Sequence, residues 1–234
     1  MSFTAPFKAG DWAGIELVVF DVDGTLYDQM RLRLRMLREI ALDVLRRGSL
    51  EVPIVVGRYR RLREQIGDRE ISNIEAELVR RTGAMVGMSE AQVHAIVSEW
   101  IHVRPLPLLE AYRYDGVQQL FAGLRRRQKI VGVFSDYPAF DKLAAMGLAA
   151  DIVVSGGDKD VGALKPNPLG LELLMSRANV APAATVLVGD RVERDGVAAQ
   201  RAGARSLIRS SRQQPGWTTF ARFDDPIFGP MLAD

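Results

Sequence analysis

The sequence predicts an α/β protein in which a doubly wound, Rossmann-like parallel sheet carries an inserted, all-helical subdomain. Between about residues 113 and 208, short apolar runs alternate with helical patterns. Between about residues 28 and 104, by contrast, the apolar residues show only helical periodicity. Alternating strands and helices imply right-handed crossovers, which produce a parallel sheet covered by helices on both faces.

Five short segments have the composition of buried parallel strands, which are apolar and rich in β-branched residues. They are residues 16–20, 129–134, 151–154, 185–189 and, more weakly, 205–208. Helical patterns over residues 117–124, 169–178 and 195–202 separate or follow them. The first segment stops abruptly at an acidic stretch containing glycine, which is typical of a strand that leads into a functional loop.

The inserted segment is expected to form about four amphipathic helices. Met30, Leu34 and Leu37 begin an apolar stripe on the first helix, and Gly48 is placed to end it. Ser72 and Ser89 each stand three residues before a Glu or Gln, which is the capping-box pattern of a helix start. The expected division is an α/β core over residues 1–27 and 105–210, a helical cap over 28–104, and an aromatic tail over 211–234 packed on the core.

The composition excludes several classes of protein. The 234 residues include 31 Lys and Arg against 29 Asp and Glu, a net charge of +2 that gives no reason to expect nucleic acid as a partner. The chain has no cysteine, which excludes disulfide scaffolds, thiolate metal sites and cysteine nucleophiles. Neither a secretory signal nor a run of ~20 apolar residues is found. We therefore expect a cytoplasmic protein without a membrane partner.

Two carboxylates follow the first predicted strand. Asp21 and Asp23 stand two residues apart, and Gly24 comes next. In an open parallel sheet, ligands bind beyond the carboxyl ends of the strands. Side chains at i and i+2 of an extended segment point the same way, so both carboxylates can address one site. On these residues alone, a solvated Asx turn explains the pattern as well as a binding site does.

A second acidic pair favours a binding site. Asp190 and Asp195 follow the strand predicted over residues 185–189. Crowded carboxylates repel one another unless a cation is present, and hard oxygen ligands suit Mg²⁺. The sequence therefore predicts a divalent-cation site, although Asp195 also has the position of a helix N-cap or first-turn acid.

A third strand end and a later loop add groups that can hold phosphate. Ser135 and Asp136 follow the strand over residues 129–134, and Lys165 lies in a strand-to-helix loop. A hydroxyl, backbone N–H groups and a lysine can all bind phosphate oxygens. Lysine is scarce in this chain, so Lys165 is less easily explained as general surface charge. The lysines are Lys8, Lys129, Lys142, Lys159 and Lys165.

In this order the segments resemble the four motifs of the haloacid dehalogenase-like superfamily, and the resemblance covers roughly residues 16–209. The motifs are Asp21-x-Asp23-Gly24-Thr25, Ser135, Lys165-Pro166 and Gly189-Asp190-x4-Asp195. Each motif alone is weak, but four in order, each at a strand end or in the expected loop, form a specific match. The helical insert after the first motif resembles the cap of the phosphatase branch.

The resemblance implies a Mg²⁺-dependent phosphatase that hydrolyses a small phosphomonoester through an aspartyl-phosphate intermediate. In that mechanism Asp21 attacks phosphorus, while Asp23 protonates the leaving oxygen and later deprotonates the attacking water. Lys165 is the third catalytic residue, and together with Ser135 it holds the transferring phosphoryl group.

The resemblance also implies the remaining ligands. Thr25 and Asp136 complete the expected phosphate-binding set, and Thr25 fixes its loop as well. The expected Mg²⁺ ligands are Asp21, the backbone carbonyl of Asp23, and Asp190, with Asp195 bound through water or supporting the other ligands.

The sequence discriminates among the activities of the superfamily. Dehalogenases of the superfamily lack an acid two residues after the nucleophile, because no leaving alkoxide needs a proton, whereas Asp23 is present here. Phosphonate hydrolysis uses a lysine of the cap, and residues 28–104 contain none. A phosphomutase and a non-catalytic member that binds a protein partner both stay open. Asp136 departs from the asparagine of many family phosphatases, and an acid there would repel phosphate unless its side chain turned away.

The first half of the cap is rich in arginine, which suits either recognition of an anionic substrate tail or solvated helix faces. Intermixed acids such as Glu39 and Glu64 favour the second interpretation for most of them. His94 and His102 have no motif partner and are predicted to be surface or packing residues. The expected partner is a small phosphorylated metabolite, whose identity the sequence does not determine, and the oligomeric state is equally unknown. The arginines are Arg31, Arg33, Arg35, Arg38, Arg46, Arg47, Arg58, Arg60, Arg61 and Arg63.

Overall fold

The computed structural model describes residues 6–66 and 69–233. In this part of the chain, six strands form a single sheet in the order β3-β2-β1-β4-β5-β6, and every neighbouring pair is parallel. The strands are β1 (Leu17–Phe20), β2 (Ile130–Ser135), β3 (Ile152–Ser155), β4 (Thr185–Gly189), β5 (Arg205–Arg209) and β6 (Thr219–Phe220).

Helices cover both faces of the sheet and fill the segment between β1 and β2. Among the described residues, no helix combines the length and the apolar character that crossing a bilayer requires. The helices are α1 (Gln29–Arg47), α2 (Glu51–Ile66), α3 (Ile74–Val86), α4 (Glu90–Val97), α5 (Leu109–Tyr112), α6 (Val117–Arg126), α7 (Phe140–Ala145), α8 (Leu169–Ala178), α9 (Val197–Arg201) and α10 (Gly229–Leu232).

The predicted fold class is confirmed. Each of the five predicted strands is present to within one residue at either end. The sixth strand, Thr219–Phe220, was not predicted, because two residues at a sheet edge carry no readable alternation. Helices α1 to α4 lie between β1 and β2, where the insert was expected, while the assignment of residues 28–104 as a cap stays a prediction.

The sheet topology brings the functional loops together. The chain winds outward from β1 through β2 to β3 and then crosses to β4 on the other side, so β1 lies at the topological switch point. Phe20 pairs with Val133 of β2 and with Val188 of β4, so the three strands end at nearly the same level. The loops that follow them therefore open into one crevice, which is where ligands bind in open α/β sheets.

Residues of β1 alternate between two apolar layers. Val18 and Phe20 pack into the layer that contains α6, whereas Leu17 and Val19 pack into the layer that contains α8 and α9. Because both faces are covered, the strand needs apolar side chains at every position, which explains the continuous run seen in the sequence.

The face that α1 buries differs from the predicted one. The helix buries Leu32, Met36 and Ile40 and exposes the predicted stripe, with Met30 65% exposed. Apolar residues occupy two faces of α1, so periodicity alone did not select between them. The choice is made by α5 and α2, which pack against the Leu32 face.

One of the two predicted capping boxes is present. Ser89 accepts a hydrogen bond from the backbone of Gln92, whose side chain accepts one from the Ser89 N–H. The prediction for Ser72 was wrong, because α3 begins one residue later with Asn73 as its N-cap. Asn73 is an equally good cap, and the Glu75 carboxylate that would complete the predicted box instead contacts Arg63 and Tyr59.

The C-terminal tail carries an aromatic cluster that packs against the N-terminal turn. The rings of Phe220 and Phe228 lie 4.8 Å apart and those of Phe220 and Phe223 lie 5.3 Å apart. Trp12 contacts Phe228 at 6.0 Å and donates its indole N–H to the carbonyl of Ile227. The tail thus adds apolar contacts to the layer that contains α6.

Replacing Phe228, which is fully buried, with alanine is expected to lower the free energy of unfolding by about 3–5 kcal/mol, because the truncation leaves a cavity among aromatic rings. The matched control is Phe140→Ala, since Phe140 is 74% exposed and its loss is expected to cost little. Urea unfolding of both variants provides the measurement. Equal, small effects in the two variants would contradict the packing of the tail.

Candidate active site

Three carboxylates meet at the carboxyl ends of β1 and β4. Asp21, Asp190 and Asp195 each place an oxygen within 4.8 Å of the others. Asp21 directly follows β1, Asp190 directly follows β4, and Asp195 lies in the π-helical turn Val192–Gly196 that precedes α9. Because β1 and β4 are neighbours, the topology itself forces these side chains together.

The turn after β1 is shaped to approach this cluster closely. Gly24 has a φ of +95°, and a Cβ atom at this position would overlap the Asp190 carboxylate. Glycine is therefore required for both reasons. Thr25 is buried, and its hydroxyl donates a hydrogen bond to Asp21 Oδ2 at 2.9 Å, which fixes the orientation of that carboxylate.

Lys165 lies between two of the carboxylates. Its Nζ donates to Asp21 Oδ1 at 2.5 Å, to Asp195 Oδ1 at 2.7 Å and to the carbonyl of Phe134 at 3.1 Å. Burial opposes the charge of this ammonium, but Asp195 and Asp21 outweigh burial and raise the pKa of Lys165. The lysine is therefore a fixed positive charge at the centre of the cluster.

One lysine does not balance three carboxylates. Burial raises the pKa of Asp21 well above its usual value, and repulsion from Asp195 and Asp190 works in the same direction against the attraction of Lys165. Burial and the nearby Asp195 raise the pKa of Asp190 to about 6. Carboxylates that are buried together and left with too little positive charge have the chemistry of a site for a hard divalent cation.

Asp195 also organises the loop itself. Its Oδ2 accepts hydrogen bonds from the backbone N–H groups of Asp190 and Arg191, at 3.2 and 3.0 Å. Its Oδ1 accepts a hydrogen bond from Lys165, so both oxygens of Asp195 already have hydrogen-bond donors within the protein. Asp190, whose carboxylate accepts a long hydrogen bond of 3.5 Å from Thr25, is therefore better placed than Asp195 to offer oxygens to a cation.

The side chain of Asp23 points away from this cluster. Lys142 Nζ donates to both of its oxygens, at 2.7 and 2.6 Å, and the Tyr27 hydroxyl donates to Oδ1 as well. Burial raises the pKa of Asp23, but the ion pair with Lys142 outweighs burial and holds that pKa below its usual value. The structure therefore separates Asp23 from the acids it accompanies in the sequence.

The carboxylate of Asp136 contacts the backbone of Lys165 and the side chain of Arg194. Its Oδ1 accepts a hydrogen bond from the backbone N–H of Lys165 at 2.9 Å, and its Oδ2 lies 3.7 Å from Arg194. Ser135 is buried, and its hydroxyl accepts a hydrogen bond from the Tyr137 N–H at 3.2 Å. Asp136, the acid in the second motif, thus stabilises the loop that carries Lys165.

Arg63 joins the helical insert to the second motif. This buried guanidinium donates to the backbone carbonyl of Asp136, to the Tyr59 hydroxyl at 2.9 Å and to Glu75. It also lies 4.1 Å from the centre of the Tyr137 ring. In the sequence, Arg63 is one of ten similar arginines in the first half of the insert, and its burial in the fold distinguishes it.

Two adjoining cavities open at this edge of the sheet, and Asp23, Gln29, Arg33 and Tyr137 line both. We call the first the acidic cavity, because six carboxylates and four cationic side chains line it. We call the second the basic cavity, because three cationic side chains and one carboxylate line it. The acidic cavity includes Asp21, Glu64, Asp136, Lys165, Asp190 and Asp195. The basic cavity includes Leu32, Arg60, Ile101, His102, Leu109 and Lys142.

Some of the residues predicted from the sequence to form the site line one of the two cavities, and others line neither. Lys165 and Asp136 line the acidic cavity, whereas Thr25 and Ser135 are not among the described residues that line either one. His102, expected to be a surface or packing residue, lines the basic cavity. No role was predicted for Lys142, although the scarcity of lysine in this chain and the position of Lys142 shortly after the second motif were signals that could have identified it.

A family model described as haloacid dehalogenase-like hydrolase matches residues 15–203, most of the chain. The chain belongs to this family. It is 27% identical over 224 residues to a protein of Methanopyrus kandleri named glyceraldehyde 3-phosphate phosphatase, with 86% of each chain covered. The resemblance stated from the motifs is thus confirmed, and the protein is a hydrolase.

Solved structures of the family have the same fold. A 2-haloacid dehalogenase from Pseudomonas syringae superimposes with a TM-score of 0.64 at 20% identity, covering 89% of this chain and 95% of its own. A β-phosphoglucomutase from Clostridium difficile gives 0.62 at 14% identity, with 93% and 97% covered. A phosphatase from Thermococcus onnurineus gives 0.55 at 17% identity, with 89% and 94% covered. At these identities the similarity establishes the fold alone.

Glu75→Gln is expected to lower the free energy of unfolding by about 1–3 kcal/mol at neutral pH, because Arg63 loses its charged partner. Burial raises the pKa of Glu75, but Arg63 outweighs burial and holds that pKa below its ordinary 4.5. The contribution of the carboxylate is therefore complete above pH 4.5 and disappears as the pH falls through the lower folded value.

Urea unfolding as a function of pH measures this effect. The difference in stability between wild type and Glu75→Gln should be largest at pH 7 and should shrink steadily with acidification. Glu110→Gln, which alters an exposed carboxyl, is the matched control. A difference that stayed constant with pH would show that the Arg63 contact does not depend on the charge of Glu75.

Proposed function

We propose that this protein is a Mg²⁺-dependent phosphatase that hydrolyses a small phosphomonoester through an aspartyl-phosphate intermediate. One observation carries the proposal. Asp21 contacts Lys165 and lies in a cluster with Asp190, while Asp23, two residues along the chain, is held apart by its own lysine. A nucleophile, a cation site and a separate acid–base group are the parts that a two-step phosphoryl displacement requires.

Asp21 is the nucleophile in this mechanism. Its carboxylate attacks phosphorus, the bond from phosphorus to the leaving oxygen breaks, and the phosphoryl group is transferred to the aspartate. Thr25 and Lys165 hold one oxygen each of this carboxylate, which restricts its orientation before the attack. Lys165 also stabilises the negative charge on the phosphoryl oxygens as the transfer proceeds.

Asp23 moves the protons. It gives a proton to the leaving oxygen in the first step and takes one from the attacking water in the second. Lys142 favours the ionised form of Asp23, which suits the second step. A phosphoryl dianion that enters beside Asp23 favours its protonated form, because like charges repel, and this suits the first step.

Asp21, Asp190 and the backbone carbonyl of Asp23 would hold the Mg²⁺, and Asp195 would support them through Lys165 and the backbone of its loop. The donor set fits a hard cation, since it consists of oxygens and leaves negative charge unbalanced. When bound, Mg²⁺ neutralises negative charge on the phosphoryl group and on the carboxylates around it.

The substrate is a small phosphorylated metabolite, and the protein acts in the cytoplasm. The name of the Methanopyrus kandleri relative, glyceraldehyde 3-phosphate phosphatase, supports a small phosphomonoester as the class of substrate. Residues 28–104 act as a cap that excludes water from the acidic cavity during the first step, because helices α1 and α2 supply Arg33 and Glu64 to its wall.

Asp21→Asn is expected to reduce the release of inorganic phosphate at least about a thousandfold, since the amide cannot form the aspartyl-phosphate. A panel of metabolite phosphates with Mg²⁺ provides the assay. The matched control is Asp160→Asn, which alters an exposed carboxylate paired with Arg177 and should keep wild-type activity. Isomerisation of a sugar phosphate in the presence of a bisphosphate, without phosphate release, would contradict the proposal and indicate a phosphomutase.

Removal of divalent cations with a chelator is expected to abolish turnover, and added Mg²⁺ should restore it. Asp190→Asn should raise the Mg²⁺ concentration required for half-maximal activity by about tenfold or more, because one charged ligand is lost. Full activity in the presence of the chelator would exclude a cation-dependent mechanism.

A further inference from the structure

The basic cavity contains two arginines from different helices. Arg33 projects from α1 and Arg60 from α2, and both line this cavity beside Asp23. Arg60 is half-buried, whereas Arg33 is exposed and reaches the acidic cavity as well. Two positive charges thus meet next to the group that protonates the leaving oxygen.

In the part of the chain that the structure describes, neither arginine has a partner of opposite charge. Within residues 6–66 and 69–233, neither guanidinium forms a hydrogen bond or an ion pair. Burial lowers the pKa of Arg60, and repulsion from Arg33 lowers it further despite the attraction of Tyr137. Asp23, the carboxylate that lines the same cavity, is already bound by Lys142 through both of its oxygens. Bringing unpaired like charges together costs free energy, which an anion in the cavity would recover.

The rest of the cavity limits the size of such an anion. Its volume is about 40 Å³, which leaves room for a few non-hydrogen atoms. Leu32, Ile101 and Leu109 form an apolar side on which a short carbon chain can lie. The opposite charges of the two cavities fix the direction of binding, because the acidic cavity offers the cation site and Lys165 to the transferring phosphoryl group.

We propose that Arg33 and Arg60 bind a second anionic group on the leaving alcohol, so that the preferred substrate is a short phosphomonoester bearing a carboxylate or a second phosphate. This inference rests on the proposed phosphatase function and defines its class of substrate. Both guanidiniums can bind either anion through paired N–H groups, since carboxylate and phosphate share that geometry.

A matched series of two-carbon esters tests the preference. The series consists of 2-phosphoglycolate, ethylene glycol bisphosphate and 2-hydroxyethyl phosphate, whose leaving alcohol carries no second anion, and glyceraldehyde 3-phosphate serves as a further ester without a second anion. The wild-type kcat/KM should be at least about tenfold higher for an ester with a second anion. A preference for 2-phosphoglycolate identifies the second anionic group as a carboxylate, and a preference for ethylene glycol bisphosphate identifies it as a phosphate.

Charge-removing variants locate the interaction. Arg60→Gln should lower kcat/KM for the preferred ester by about tenfold, mainly through KM, and should change it less than about twofold for 2-hydroxyethyl phosphate, because Arg60 does not line the acidic cavity. Arg33→Gln, which also alters the wall of the acidic cavity, should lower kcat/KM more for the preferred ester than for 2-hydroxyethyl phosphate. Arg31→Gln on α1 and Arg61→Gln on α2 are matched controls, because both arginines are exposed and line neither cavity. An equal loss of kcat/KM on esters with and without a second anion would overturn the assignment of these arginines.

Two outcomes separate failure of this inference from failure of the proposed function. If wild type hydrolyses all the esters with similar kcat/KM, the inference is wrong while the phosphatase function stands. If neither these esters nor any compound of the metabolite-phosphate panel is hydrolysed, the function is wrong, and calorimetric titration of 2-phosphoglycolate and 2-hydroxyethyl phosphate in the presence of Mg²⁺ decides the inference. Binding of the first compound that is tenfold tighter, and that is lost in Arg60→Gln, would support it, and equal binding would overturn it.

Discussion

The rest of the site depends on the electrostatic repulsion among three carboxylates at the switch point of the sheet. Asp21, Asp190 and Asp195 are brought within 4.8 Å of one another by two adjacent strands that end at the same level. Lys165 relieves part of the repulsion, and the remainder creates the demand for a divalent cation. Much of the surrounding structure follows from this demand, including the glycine that lets Asp190 approach and the backbone donors that hold Asp195.

The separation of Asp23 from the other carboxylates determines how a substrate would be oriented in the site. Lys142 holds Asp23 away from the three carboxylates and places it at the boundary of the two cavities. On one side of Asp23 lie the proposed nucleophile and the proposed cation ligands, on the other lies Arg60, and Arg33 lines both cavities. A substrate that bridges this boundary would present its leaving oxygen to Asp23, the proposed acid–base group.

Several features were predictable from local sequence. The strands were recognisable because both faces of the sheet are covered, so each strand is a continuous apolar run bounded by turn residues. Asp21, Asp190 and Lys165 were recognisable because they follow strands or occupy a loop of the type that carries sites. The buried face of α1 was predicted wrongly, since that helix carries apolar residues on two faces and its neighbours decide which is covered.

The sequence by itself determined the α/β fold class, the family and the residues that carry the proposed chemistry, because each strand and each motif is a local pattern and their order along the chain is specific. Only the tertiary structure decided that Lys142 pairs with Asp23, that Arg63 braces the second motif and that Arg33 and Arg60 share a cavity. These contacts join segments that are distant in the chain. The first half of the insert contains ten arginines, so the sequence does not show which of them makes each contact. Burial and the packing of helices against one another decide which arginine makes each contact, and neither can be predicted from a local sequence pattern.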